Sequence, residues 1–517
     1  MRKIIILLIL LTLGVASMTY LYFSNLNREN TASDNALNIL SANAPIIFAF
    51  ENDKTFYDIL SGQQIIDHIL GPEKSRLLSL LRENVIKHHK INQIIDGEKI
   101  IIGFLPSKAN HVDFVLATQT KLKQIDLSLL KQLKATVNQE KNIYEVKFGD
   151  SAKCYLSFNG QSILLSNNAA SLNKLSAFKN EKNDFASYIK QNSRIKNTLA
   201  NIYINYQQLP VLLKNILNTN LTGELSIFNK QNAYAALSYN FSSDKFLLNG
   251  YTNLQEKQSY LSLFVGQKEQ KINIDQFLPE QTANYTFFAI TDYKKWSDDL
   301  KTQQKEQKEY AKIEQQHKAI NEKYRVDIAQ TFPQYFNEQL AVFQLKSGEK
   351  LGIIEIKNGD KLGQLLLDLS SEYAPDIRIF KESAILYHFF GEPFKKFERP
   401  FYTIIDNHFV MANYASSIQV FLNSYKNNEL LIKTDDYAHF KDQTSSTATV
   451  AFYINHKNSN NILGRNLKPA YYKQYKATNG LKNYNAFGYQ LSADNGKFLS
   501  NILLLKNQTK VDIDTLQ

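Results

Sequence analysis

Two adjacent histidines, His88 and His89 in the run KHHK, are the most metal-like feature of the sequence. Neighbouring side chains on a helix point in different directions, so such a pair seldom holds one ion. The plainer reading is a solvated helix end, where imidazoles suit the helix dipole. His408 follows the pair Asp-Asn and reads as a turn residue. The nine histidines form no HExxH and no compact His/Asp cluster, and one cysteine cannot supply a paired CxxC. Cys154 stands in the apolar run CYLSF, where an inert buried thiol is expected. The sequence has no GxSxG elbow, no Walker loop, no GxGxxG after a strand, and no carboxylate pair separable into acid and base. It therefore nominates no catalytic residue, no metal ligand and no cofactor. Enzymatic activity is unsupported by any motif.

Two stretches have the look of contact surfaces. In the charged segment from Lys294 to Tyr324, residues Tyr310, Ile313, His317, Ile320 and Tyr324 recur at three-four spacing. That spacing draws a narrow apolar stripe along a helix. The segment is expected to project or to lie along the surface, either docked on its own domain or serving as a partner-binding arm. In PAYYKQYK, proline opens a helix that sets Tyr471, Tyr472 and Tyr475 on about one face. These tyrosines read as core substitutes with a wet edge, or as a surface for a glycan or acidic partner.

The elements that would carry these residues begin behind a membrane anchor. Arg2 and Lys3 precede an uncharged apolar run from Ile4 to Phe23, long enough to span a bilayer. The basic flank keeps the N-terminus cytoplasmic and sends the rest outward. A cleavable signal peptide is the competing reading of residues 14–17. In either case the bulk is extracytoplasmic. The net charge of +11 comes from 60 basic residues of which only nine are arginine. That composition argues against nucleic-acid recognition, which leans on the guanidinium. A weak attraction to anionic envelope polymers or lipid headgroups remains.

Beyond the anchor the sequence repeats itself. PIIFAFENDKTFYDIL (45–60) aligns with YTFFAITDYKKWSDDL (285–300) at offset 240, and YLSFNGQSILLSNNAASL (155–172) with FYTIIDNHFVMANYASSI (401–418) at offset 246. NIYIN (201–205) recurs as AFYIN (451–455), and ALSYNFSSDKFLLNGYTN (236–253) meets GYQLSADNGKFLSNILLL (488–505) at offset 252. Asn-Gly at 159–160 and Asp-Asn at 406–407 are expected hairpin turns. A period near 250 exceeds any solenoid repeat, so a whole domain is read as duplicated.

The predicted class is α+β, a mostly antiparallel sheet with helices on one face, in two tandem copies after one transmembrane helix. The expected boundaries are 1–23 for the anchor, 24–41 for a polar tether, 42–280 and 281–506 for the repeats, and 507–517 for a tail. The anchor, PIIFAFEN, FYTIIDNHFVMAN and FYIN together resemble an uncharacterised bacterial family, domain of unknown function thirty-three fifty-two. The resemblance implies a membrane-anchored extracytoplasmic protein of the cell envelope and carries no activity or site residue. The expected role is a non-catalytic binding or scaffold protein. Its partners would be the bilayer, through the N-terminal helix, and an envelope protein in preference to a small ligand, with no nucleic acid. An envelope hydrolase and a lipid-handling protein are the alternatives.

Overall fold

A computed structural model describes residues 35–507 apart from 62–63, 109, 121–135, 141, 149–151, 177–182, 194–197, 220, 222–226, 230, 241 and 257–258. The expected anchor, residues 24–34 of the tether and all but the first residue of the tail lie outside these. Among the described residues no helix is long and apolar enough to cross a membrane. The end of the tether is not a tether. Residues 35–41 are helical, with Ile39 and Leu40 fully buried. The apolar positions 36, 37, 39 and 40 give this turn a face to bury, which an overall polar composition concealed.

Contacts divide the chain into two compact units, Met1–Ser61 with Pro72–Asn201, and Gly62–Gly71 with Ile202–Gln517. The first contains β1 (Ile46–Glu51), β2 (Lys99–Pro106), β3 (Val112–Gln119), β4 (Thr136–Glu140), β5 (Ile143–Phe148), β6 (Ala152–Asn159) and β7 (Ser162–Ser166). Every pairing is antiparallel, in the order β4-β5-β6-β7-β3-β2-β1. A helical excursion joins β1 to β2, and helices Ala169–Ser176 and Asp184–Asn192 follow β7. Asn183 caps the latter by accepting from the Ala186 amide at 2.7 Å.

After β8 (Asn201–Asn205), which straddles the two units, the second unit opens with the hairpin β9 (Ala233–Asn240) and β10 (Lys245–Leu254) and the short β11 (Gln270–Lys271). It continues through β12 (Thr282–Ala289), β13 (Phe336–Leu345), β14 (Lys350–Ile356), β15 (Ser370–Ala374), β16 (Ile377–Phe380), β17 (Phe401–Ile405) and β18 (His408–Ala412). It ends with β19 (Thr447–Ala448), β20 (Val450–Asn455), β21 (Tyr484–Asp494) and β22 (Lys497–Lys506). The ladder runs β15-β16-β17-β18-β14-β13-β12, the same seven-place order as in the first unit. It then continues antiparallel through β20-β21-β22-β10-β9.

Two pairs of hairpins share their registers. Phe158 faces Ile163 in β6–β7, and Ile404 faces Phe409 in β17–β18, each 246 positions on. Asn240 faces Leu247 in β9–β10, and Ser492 faces Leu499 in β21–β22, each 252 positions on. The turn of the first hairpin is Gly160–Gln161, one residue later than the Asn-Gly pair indicated, and this brings it into step with Asp406–Asn407. Gly160, Asp406 and Asn407 take the positive φ that such tight turns require.

Helices cover both faces of the second unit's sheet, not one. All eight residues of β12 are buried, a pattern that a half-covered strand cannot show. On one face Phe288 stacks on Phe264, which meets Trp296 of the helix Tyr293–Glu306. On the other, Tyr285 and Phe287 join Ile418 and Phe421 of helix Ala415–Lys426, and Tyr437 and Phe440 of helix Asp435–Asp442.

Candidate functional site

The stripe in the charged segment faces inward. The segment is two helices, Tyr293–Glu306 and Tyr310–Tyr324, broken where Lys308 takes a left-handed φ of 61°. Ile313 and Ile320 are buried, which at roughly 1.5–3 kcal/mol each holds the second helix to its own unit. Tyr310 is half-buried beneath the Lys305 ammonium. The Tyr324 hydroxyl donates to Glu382 at 2.6 Å, and His317 Nε2 lies 3.1 Å from His388 Nδ1. These contacts dock the helix along its own unit.

The tyrosines of helix Pro469–Lys476 divide. Tyr475 is buried and donates to the His456 carbonyl at 3.3 Å, while the half-buried Tyr472 stacks beside it and reaches Asn460. Tyr471 is half-buried as well. The three share a face, but only its edge meets solvent.

His88 precedes a helix, His89–Ile95, and so stands at the end where a cation is least favoured. It also lies two residues past the end of the preceding helix, which a π-turn, Arg82–Ile86, extends beyond Leu81. His408 is the first residue of β18, stacked on Phe277 with its Nδ1 2.8 Å from the Asp406 carbonyl, and burial holds its pKa down. Burial pushes the Cys154 thiol up to about 12. Among the described residues no three His, Cys, Asp or Glu side chains are grouped to hold a metal ion.

Buried carboxylates are committed to packing. Asp113 accepts from Asn167 and Asn168 side-chain amides and from Ser171. Asp275, wholly buried, accepts from the Tyr437 hydroxyl at 2.8 Å and the Lys441 ammonium at 2.7 Å. Since Tyr437 spends its proton on Asp275, the Tyr285 hydroxyl 2.7 Å away must donate to Tyr437.

The open polar feature lies across the last four strands of the second unit's ladder. Ser238, Asn249, Asn501 and Gln490 sit opposite one another on β9, β10, β22 and β21, forming a transverse row on one face. The Asn240 amide donates to Asn249, and Asn249 donates to Asn501. Asn249 faces the residue that lies 252 positions beyond it. At one end of the row Gln490 clamps the Ser445 backbone, donating to its carbonyl at 2.8 Å and accepting from its amide at 3.1 Å. Lys245 donates to Gln443 at 2.7 Å. Residues 443–445 thus roof a pocket of about 130 Å³ floored by Leu247, Asn249, Asn501 and Leu503.

Nothing in the linear pattern advertises this row, because its members come from four strands and each is an ordinary polar residue. The offset of 252 was its one available signal, for it sets Asn249 over Asn501 and Ser238 over Gln490. Among known proteins, no family model, no curated protein and no solved structure matches this chain.

Proposed function

We propose that the chain is a non-catalytic binding or scaffold protein of the bacterial cell envelope. It is held at the membrane by its N-terminal segment and built from two diverged copies of one α+β domain. One observation carries the binding role: the side-chain polar groups of the open pocket, set beside Leu247 and Leu503, are all carboxamides and hydroxyls, whereas the titratable groups described above are turned inward and engaged. Carboxamides orient a ligand but supply neither a proton nor a nucleophile. A lipid chain would need more room and a more apolar lining.

The shared strand order and the two shared hairpin registers support the duplication. So does the pairing of β10 with β22, in which Asn249 meets its own counterpart. Residues that face their own equivalents are the signature of a two-fold, isologous contact, here within one chain. The anchored extracytoplasmic setting rests on the N-terminal sequence and on the family it resembles.

The test uses full-length protein in detergent, mixed with isolated envelope polysaccharide and assayed both for co-sedimentation and for release of reducing ends. Co-sedimentation with no release is expected. Release of reducing ends, or failure to bind any envelope fraction, overturns the proposal. External protease added to spheroplasts is expected to digest the bulk of the chain.

A further inference from the structure

The pocket at the end of the polar row sets its polar groups among the apolar side chains of Leu247 and Leu503. We infer that it takes one acidic pyranose, a hexuronic acid unit of a polysaccharide, an assignment that rests on the binding role proposed above and names its ligand.

The donors come first. Asn501 accepts from Asn249 through its oxygen, leaving its Nδ2 hydrogens for the pocket. Gln443 accepts from Lys245 through its oxygen and likewise leaves Nε2. Lys245 spends one ammonium hydrogen on Gln443 and keeps two. No carboxylate lines the pocket. Two free amide donors with the Lys245 ammonium close by suit an anionic, acceptor-rich ligand, because an ion-assisted hydrogen bond is about twice as strong as a neutral one.

The apolar component is beside it on the same face. Tyr251 and Leu499 face each other across β10–β22, one row beyond Asn249 and Asn501, and each is 38% exposed. They form a part-exposed apolar shelf at the edge of the pocket. Lys497 lays its ammonium over the Tyr251 ring, 3.6 Å from its centre, and so puts positive charge on the shelf itself. Lys245 and Lys497 are 252 positions apart, so an ammonium stands at either end of the groove. A net charge of +11 adds a long-range attraction of the same sign.

Full-length protein in detergent is titrated calorimetrically with glucuronate, glucose and inorganic phosphate. Glucuronate is expected to bind at least about tenfold more tightly than either of the others. Gln443→Leu and Lys245→Met are each expected to weaken it about tenfold, with melting temperatures near that of the parent protein. Equal binding of phosphate reduces the pocket to a simple anion site and overturns the inference. Equal binding of glucose, or no binding of glucuronate, overturns it too. Asn501→Ala lies in the central ladder and is read only if its circular dichroism matches the parent, with Gln443→Leu deciding otherwise. Should the protein sediment with envelope polysaccharide while glucuronate fails to bind, the pocket assignment falls and the binding role stands. Should glucuronate bind while the polymer is cut, the reverse holds.

Discussion

His388 is a histidine whose neighbours forbid it a charge. Burial, then the adjacent His317 and Lys312, lower its pKa to about 3 from an ordinary 6.5. A group whose folded pKa is depressed supports the fold fully above its unfolded value and loses that support as pH falls towards the folded one. The window therefore runs from about pH 6.5 down to about 3. Through most of it each pH unit costs up to about 1.4 kcal/mol for this one proton. Thermal melts at pH 7.5, 6 and 5 are expected to fall, and His388→Gln to fall less steeply; equal slopes would show that the pair does not titrate in this way. Lys441 and Asp275 offer a second test. Removing the cation with Lys441→Met strands a fully buried carboxylate and is expected to cost roughly 3 kcal/mol or more in urea denaturation. Adding Asp275→Asn should recover a good part of that loss. A double variant no better than the single one would mean that the pair's charges are not coupled.

Elements differ in how plainly they were written in the sequence. The hairpin of β17–β18 was legible because its apolar alternation stops at Asp406–Asn407, residues that tolerate positive φ. The strands β4 and β15 were not legible. As outermost members of their ladders they have exposed residues on both faces, so TVNQE and SSEYA carry no alternation to detect. The helix over 35–41 was missed for a different reason, since its apolar residues are diluted by asparagines in a polar neighbourhood. Of the pocket, the floor was legible only as two strands that align, because a row across four strands has no period along the chain.

Two substitutions test elements directly. Lys308 breaks the charged helix in the left-handed region, where a β-carbon costs roughly 1–2 kcal/mol. Lys308→Gly is expected to leave stability unchanged or raise it by about 0.5–1 kcal/mol, and Lys308→Val to lower it. Gly250 is fixed by contact, since a β-carbon there would stand 2.1 Å from the Ala236 carbonyl oxygen. Gly250→Val is expected to part β10 from β9, at roughly 2 kcal/mol or more, seen as faster amide exchange in that hairpin.

At the scale of the molecule, charge and ladder act together. With a pI near 9.1, binding to an acidic polysaccharide is expected to weaken steadily between 50 and 500 mM salt. Insensitivity to salt would assign that binding to shape alone. The pairing of β10 with β22 also has a consequence in time. β22 ends at Lys506, so β10 is made long before the strand that closes its far side. Asn249 and Asn501 are 252 residues apart, which at synthesis rates of roughly 5–20 residues per second is a wait on the order of ten to fifty seconds. Throughout that interval a row of unpaired backbone amides and carbonyls is presented to every neighbouring nascent chain. A message truncated near codon 480 would make the interval permanent, and its product is expected to aggregate.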